Sequence, residues 1–412
     1  MTTGVPHSAA PTRGVGLVLA VVQFFFALSW TVYVIFLPTL AQQAGLPRAA
    51  VTWILMLDQL VFLLADYAAG LASDRAALAL RRIGPAVLAV TLLSCAALLA
   101  LPFVAPSGSV PLFLGLTLLW SVSSSALRAP PLTLIGRHAA RPTRPGLVAL
   151  SLSGLGLASA AAPYLALQLR ELDPRAPFVL SSLALALATL GIVAAERRLT
   201  RRLGGPTPAE GSAASASPGS PAPPAAAAFF GAVLLAALAF QVHGFINSTP
   251  LYLRHAGAAQ LPYLAPLFWV GFNLALWPAG VAVRHWGAAR VMLVGSVMAA
   301  AAALLAQLAG DLAILVGAQC LAGAAWAGLL MSAFALALAF GQVGREGRFS
   351  GALSSLLAAA ALARLGVLAA ALPQVSGARA LLAWLPAVAW LLAALLAWRL
   401  ALHTDARAGA PE

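Results

Sequence analysis

Residues 196–228 read ERRLTRRLGGPTPAEGSAASASPGSPAPPAAAA, four arginines followed by a tract of Gly, Pro, Ser and Ala. A stretch of this composition has no apolar face to bury and behaves as a flexible linker. The chain on either side of it is of the opposite kind. A bilayer core of about 30 Å takes about twenty apolar residues per helix, and on that ruler six spans precede the linker. They lie near residues 15–37, 51–73, 83–104, 110–134, 146–168 and 176–195. Six more follow it, near 229–253, 262–284, 289–309, 312–340, 349–372 and 379–402. The shortest separation is the turn at Gly310 and Asp311. The organisation that results is a tail at 1–14, a six-helix bundle at 15–195, the linker at 196–228, a second six-helix bundle at 229–402 and a tail at 403–412.

Composition excludes the alternatives. Of 412 residues, 62% are hydrophobic and 8% charged, against roughly a quarter charged in a soluble domain, and the mean hydropathy is +0.93. The 35 glycines and 28 prolines are tolerated in membrane helices, whose backbone satisfies itself. The first apolar run is too long for a signal-peptide core and shows no small-residue cleavage site, so it stays as a span. Cys95 and Cys320 sit far apart inside apolar runs, which indicates neither a disulfide framework nor a metal motif.

The net charge of +13 comes from 24 arginines with no lysine, and their placement sets an orientation. With both termini in the cytoplasm, seventeen arginines fall inside: Arg13, Arg75, Arg81, Arg82, Arg137, Arg141, Arg144, Arg197, Arg198, Arg201, Arg202, Arg284, Arg290, Arg345, Arg348, Arg399 and Arg407. Five fall outside, Arg48, Arg170, Arg175, Arg254 and Arg379, and two, Arg128 and Arg364, lie within spans. This is the positive-inside asymmetry of a multi-pass protein of a bacterial inner membrane. Small arginine groups between apolar runs do not make a nucleic-acid footprint.

The inner end of the second span reads Gly70-Leu-Ala-Ser-Asp74-Arg75, followed by Arg81 and Arg82. At the matching place in the second half stands Gly280-Val-Ala-Val-Arg284-His285-Trp-Gly287-Ala-Ala-Arg290. Internal symmetry of this kind marks a transporter built from repeats. With twelve spans and a central linker, the chain resembles the major facilitator superfamily, whose loop motif between spans two and three runs Gly-x-x-x-Asp-Arg-x-Gly-x-Arg-Arg. Ala77 stands where the family has its second glycine, and Arg284 where the second copy would carry Asp. The resemblance implies an all-α fold of two six-helix bundles rocking about a central cavity, with the motif latching the inner gate. Glycine lets helices approach closely, and the acid and arginines form ion pairs that break and reform. A further resemblance, to glycoside and cation symporters, rests on Asp58 and Asp66 ahead of Gly70. It implies a coupling cation at those acids and a sugar as one possible cargo.

A charge at mid-bilayer costs about 2.5–3.5 kcal/mol on insertion scales, so each one needs a partner or a role. At a rise of about 1.5 Å per residue, Asp66 and Arg128 are level on the inner side of mid-membrane, and Asp58 and Arg364 are level on the outer side. Asp66 is expected to pair with Arg128 and to bind the coupling proton, with Gln59 seven residues away on the same helix face. Asp58 and Arg364 are expected to form an outer gate bond across the bundles, made when the cavity opens inward and broken when it opens outward. The family's cavity is lined mainly by spans one, four, seven and ten, which offer Gln23, Ser29, Trp30 and Tyr33, then Gln241, His243 and Asn247, then Gln319 and Trp326 as substrate contacts. For His243 a helix-to-helix hydrogen bond is the plainer reading. Trp53, Trp384 and Trp398 read as interfacial anchors.

With no lysine there is no Walker-type phosphate loop, and Gly154-Leu-Gly156 lies in a span with no strand before it. No cofactor and no bound metal are expected. The acids are spread rather than clustered as an intramembrane enzyme requires. The expectation is therefore a secondary transporter moving a small neutral or weakly anionic organic molecule, with protons or another cation as coupling ion and Arg128 as anion contact. The alternatives are a cation-coupled sugar symporter, a membrane-embedded enzyme or a non-transporting receptor. A fold of this kind can work as a monomer in the lipid bilayer.

Overall fold

The computed structural model describes residues 10–80, 83–128, 130–138, 143–202, 223–341 and 344–408. Twelve helices among them are long and apolar enough to cross a membrane. They are α1 (Gly14–Gln43), α2 (Ala50–Ala76), α3 (Gly84–Ser107), α4 (Val110–Gly136), α5 (Arg144–Leu169), α6 (Arg175–Arg197), α7 (Pro224–Tyr252), α8 (Ala258–Trp286), α9 (Ala288–Leu308), α10 (Leu312–Gly341), α11 (Glu346–Ala369) and α12 (Ser376–His403). Each coincides with one of the twelve expected spans. No strand occurs among the described residues.

Inside the first bundle α1 packs on α5 and α6, and α3 on α4 and α6; inside the second α10 packs on α8 and α9, and α12 on α7 and α9. The bundles meet where α2 lies along α11 and α5 along α8. The outer surface stays apolar: Leu64, Leu180, Leu187, Leu274, Leu308 and Leu381 are all exposed. In water that belt would be an aggregation site; facing lipid it costs nothing. Trp53, Trp384 and Trp398 are exposed near helix ends, as anchors at a membrane interface are. The chain is a multi-pass membrane protein.

The narrow turn before α10 closes because the Asp311 carboxylate accepts the Ile314 N–H at 2.8 Å, capping the helix start. The region expected as linker is shorter than 196–228. The helix carrying α6 continues to Arg202 and that carrying α7 begins at Pro223, and the rest of the linker lies outside the described residues. Glu196 explains the extension. It is buried, and its carboxylate accepts the N–H of Ile83 at 2.7 Å and of Gly84 at 2.9 Å, so the end of α6 caps the start of α3.

Close helix contacts are made where glycines remove side chains. A Cβ on Gly154 of α5 would overlap the Ala20 carbonyl of α1, and a Cβ on Gly323 of α10 would overlap the Phe268 carbonyl of α8. At Gly317, one helix face away, a Cβ would meet nothing within 4 Å. Forcing helices apart in this way costs about 1–3 kcal/mol. Gly323→Ala is therefore expected to lower the thermal unfolding midpoint of the detergent-solubilised protein, while Gly317→Ala leaves it in place.

Candidate functional site

Three elements of the expected machinery are placed by the fold: a latch at the face carrying both chain ends (the terminal face), an ion pair at mid-membrane, and a polar and aromatic lining nearer the opposite face.

The latch is built from backbone contact. A Cβ on Gly70 would overlap the Gly347 carbonyl, and one on Gly351 would sit 2.7 Å from the Asp66 carbonyl. Helices α2 and α11 thus touch along glycines of both, the small-residue packing that lipid favours. One turn beyond Gly70, Asp74 is buried, and its carboxylate accepts the N–H of Gly347 at 2.7 Å and of Arg348 at 2.8 Å. An acid from one bundle thereby caps the first turn of a helix in the other, where orphan N–H groups and the helix dipole favour negative charge. Arg75 is exposed beside it; Arg81 and Arg82 lie outside the described residues. Gly136 at the end of α4 packs on Glu346 and Leu338, adding a second cross-bundle contact at this face.

The second motif copy is looser. Gly280 stands in ordinary van der Waals distance of Pro145 and Ala149 on α5, the nearest atoms being 3.6 and 3.7 Å from a Cβ placed there. Arg284 and Arg290 are exposed. Gly287 has φ +82° and ends α8, a conformation that suits glycine.

At mid-membrane Asp66 and Arg128 meet as expected, Nε 3.1 Å from Oδ2. Asp66 is fully buried, and Arg128 is about one fifth exposed, its guanidinium 4.5 Å above the Phe62 ring. The contact is ionic without the alignment of a hydrogen bond, and among the described residues neither buried Asp66 oxygen has a hydrogen bond of full geometry, although the Ser125 hydroxyl lies beside the carboxylate. Gln59 is buried on the same helix, but among the described residues no hydrogen bond joins it to Asp66.

The Asp58–Arg364 bond is not made. Asp58 is fully buried and accepts the Tyr33 hydroxyl at 2.8 Å and the Ser121 hydroxyl at 2.6 Å. Both its oxygens are satisfied within its own bundle, by α1 and α4. Arg364 lies instead in the other bundle, its guanidinium 4.7 Å over the Phe245 ring of α7.

Several expected substrate contacts are turned away from a cavity. Tyr33 is spent on Asp58. His243 is buried, its Nε2 3.1 Å from Oε1 of Gln319 and its ring 5.5 Å from that of Trp390. Asn247 donates to the Leu382 carbonyl at 2.8 Å, and Gln23 to that of Leu127 at 2.8 Å. The common reason is that a polar atom in a bilayer finds its partner on the next helix. Trp30, stacked on Trp120 at 5.6 Å, and Gln241, partly buried with its Oε1 unpartnered, remain as lining groups. Sequence reasoning passed over Ser121, Glu196 and the Gly347-x-x-x-Gly351 pair; the last carried a readable small-residue signal.

The family profile described as Major Facilitator Superfamily matches residues 19–265, more than half of the chain. No curated protein matches it. Among solved structures, the human organic anion transporter MFSD10 (TETRAN) is 17% identical with a TM-score of 0.71, covering 94% of this chain and 99% of its own. The proton:xylose symporter XylE, bound to 6-bromo-6-deoxy-D-glucose, is 12% identical with a TM-score of 0.68, covering 95% and 96%. A bacterial homologue of the iron transporter ferroportin in an outward-facing state is 16% identical with a TM-score of 0.71, covering 94% and 99%.

Removing the Asp74 cap should weaken closure of the terminal face by about 2 kcal/mol, a factor of about thirty in a two-state equilibrium. In Asp74→Ala, spin-pair distances between labels at positions 72 and 348 should acquire a long component. Asp74→Asn, which keeps one acceptor oxygen, should show less of it.

Proposed function

The chain belongs to the Major Facilitator Superfamily, and from that premise we propose that it moves a small organic solute by alternating access, coupled to protons through Asp66. Transport of a solute follows from the family; the coupling is our reading of this chain's residues. One observation carries it. Among the described residues Asp66 is a buried carboxylate with one ionic partner, the partly exposed Arg128, and with the Ser125 hydroxyl beside it but no hydrogen bond of full geometry on either oxygen. A buried charge with one ionic partner is costly and changes protonation when that partner moves. Asp58, by contrast, has a hydroxyl on each oxygen and reads as a structural acid.

The cycle then runs through groups in contact. Protonation of Asp66 cancels its attraction for Arg128 and frees the guanidinium. Asp66 lies two helical turns from Asp74 on α2, and its carbonyl faces Gly351 of α11, so a shift of α2 at Asp66 bears directly on the seam that Asp74 latches. That geometry supports gating roles for Gly70, Asp74 and Gly347. The arginine asymmetry supports assigning the terminal face to the cytoplasm of a bacterial inner membrane. Both bundles belong to one chain, so a monomer suffices. The solved neighbours are described as an organic anion transporter, a proton:xylose symporter and a bacterial homologue of an iron transporter, too varied a set to name a cargo.

The test uses proteoliposomes holding a pH-sensitive dye, challenged with a panel of sugars, amino acids and organic acids. A solute that moves protons through the wild-type protein should move none through Asp66→Asn, while solute exchange at equal concentrations on both sides persists within a few-fold. Proton movement undiminished in Asp66→Asn would place the coupling elsewhere.

A further inference from the structure

Arg364 is an intramembrane cation without an acid. Among the described residues its Nε is buried without a hydrogen-bond partner, and its guanidinium rests on Phe245. Arginine has five donors and no acceptor, so stacking on a ring leaves its hydrogen-bonding capacity unused. The cost of burying it is met only by an anion or by water.

Its surroundings describe what that anion carries. On α11, Leu353, Leu357, Ala360 and Arg364 follow one stripe, and the first three pack toward the interior of the second bundle. Leu357 closes a narrow apolar pocket with Ala236 of α7 and Trp326 of α10. From that pocket a run of rings leads back to Arg364. Trp326 stacks on Phe240 at 4.4 Å and 4°, Phe240 meets Phe245 edge-on at 5.6 Å, and Phe245 carries the guanidinium. Phe245 itself is half exposed. Gln241 lies one turn before Phe245, its buried Oε1 lacking any donor. An apolar wall ending in one unpaired cation and one unpaired amide is the composition of a ligand site: broad apolar contact with a few polar groups that fix orientation.

We infer that Arg364 is the anion contact of the substrate site, and that the substrate is an organic carboxylate with an apolar, ring-bearing body lying against the exposed Phe245, which the buried Phe240 and Trp326 back from behind. This deepens the transport reading and rests on it. It also replaces Arg128 as the anion contact, because Arg128 is committed to Asp66. The guanidinium takes the carboxylate in a bidentate fork, and Gln241 accepts a donor elsewhere on the body.

The probes are benzoate, phenylacetate and 4-phenylbutyrate, each against its primary amide, titrated by thermal shift on the full-length protein in detergent. In wild type at least one carboxylate should stabilise the protein with an affinity tenfold or more above that of its amide. Arg364→Gln should erase that preference, Arg364→Lys should keep part of it, and Arg128→Gln should leave it standing. The inference is overturned if no carboxylate stabilises the wild type. It is equally overturned if the preference survives in Arg364→Gln and disappears in Arg128→Gln. Should Arg364→Gln not fold, Arg364→Lys decides: a preference undiminished in affinity and unchanged in its order across the three acids counts against a bidentate contact. Binding is read here without transport or a proton gradient, so a failure of coupling at Asp66 and a failure of this site are seen in separate experiments.

Discussion

Inside a bilayer no water is at hand, so every polar atom of a membrane helix must be satisfied by the chain itself or be left for something that arrives. Most of the polar side chains in this protein obey the first half of that rule. Asp58 is closed off by two hydroxyls, His243 by Gln319, Asn247 by a carbonyl of α12, and Glu196 by the first N–H groups of α3. These bridges fix helices within a bundle. The exceptions are then informative. Among the described residues they include uncharged groups, such as the Tyr252 hydroxyl, the Ser332 hydroxyl, the Trp390 indole and Gln241 Oε1, and two groups that carry charge at mid-membrane: Asp66, with no hydrogen bond of full geometry, and Arg364, with its Nε unpartnered. A proton and a carboxylate are the species that answer the two charged groups.

The same constraint accounts for the asymmetry of the two motif copies. Lipid provides no hydrophobic push between helices, so close approach depends on small residues and on polar contacts that cross the interface. On the α2–α11 side both are present: interlocked glycines and an acid that caps the partner helix. On the α5–α8 side Gly280 has room to spare and Arg284 stands in place of the acid, exposed. The tighter contact at the terminal face is therefore the α2–α11 seam. That seam runs past Asp66 to Asp74 on a single helix, so the proposed coupling residue and the proposed latch are two helical turns apart.

The fold was legible because the bilayer sets helix length and the linker breaks the count in half. The boundary at 196 was misjudged for a physical reason: Glu196 sits among arginines and reads as solvated, whereas its carboxylate is spent on the N-terminus of α3. The Asp66–Arg128 pair was also legible, since helix rise gives depth and the two helices share a bundle. Depth also paired Asp58 with Arg364, a bond expected when the cavity opens inward and not made in this structure, where Asp58 is held by Tyr33 and Ser121. Depth carries no information on rotation about the helix axis, and hydroxyl partners such as Tyr33 and Ser121 leave no charge signal to betray them. Tyr33, His243 and Asn247 failed as cavity residues on the same ground, because sequence marks a residue as polar and the neighbouring helix decides whether it is spent.

Charge balance links the two exceptions. Near mid-membrane stand two acids, Asp58 and Asp66, and two cations, Arg128 and Arg364, and of these four Asp66 and Arg128 are the pair in contact. When Asp66 takes a proton, Arg128 loses its partner and the membrane interior gains a unit of positive charge, which strengthens the field felt by an anion at Arg364. When the anion is bound, that gain is offset and protonation becomes less costly. By linkage each raises the affinity for the other, and a monocarboxylate and a proton together leave the buried charge as it was. An electroneutral load is the one least opposed by the bilayer as the bundles rock, so on the reading proposed above a proton at Asp66 and a carboxylate at Arg364 would travel as a single cargo divided between two helices.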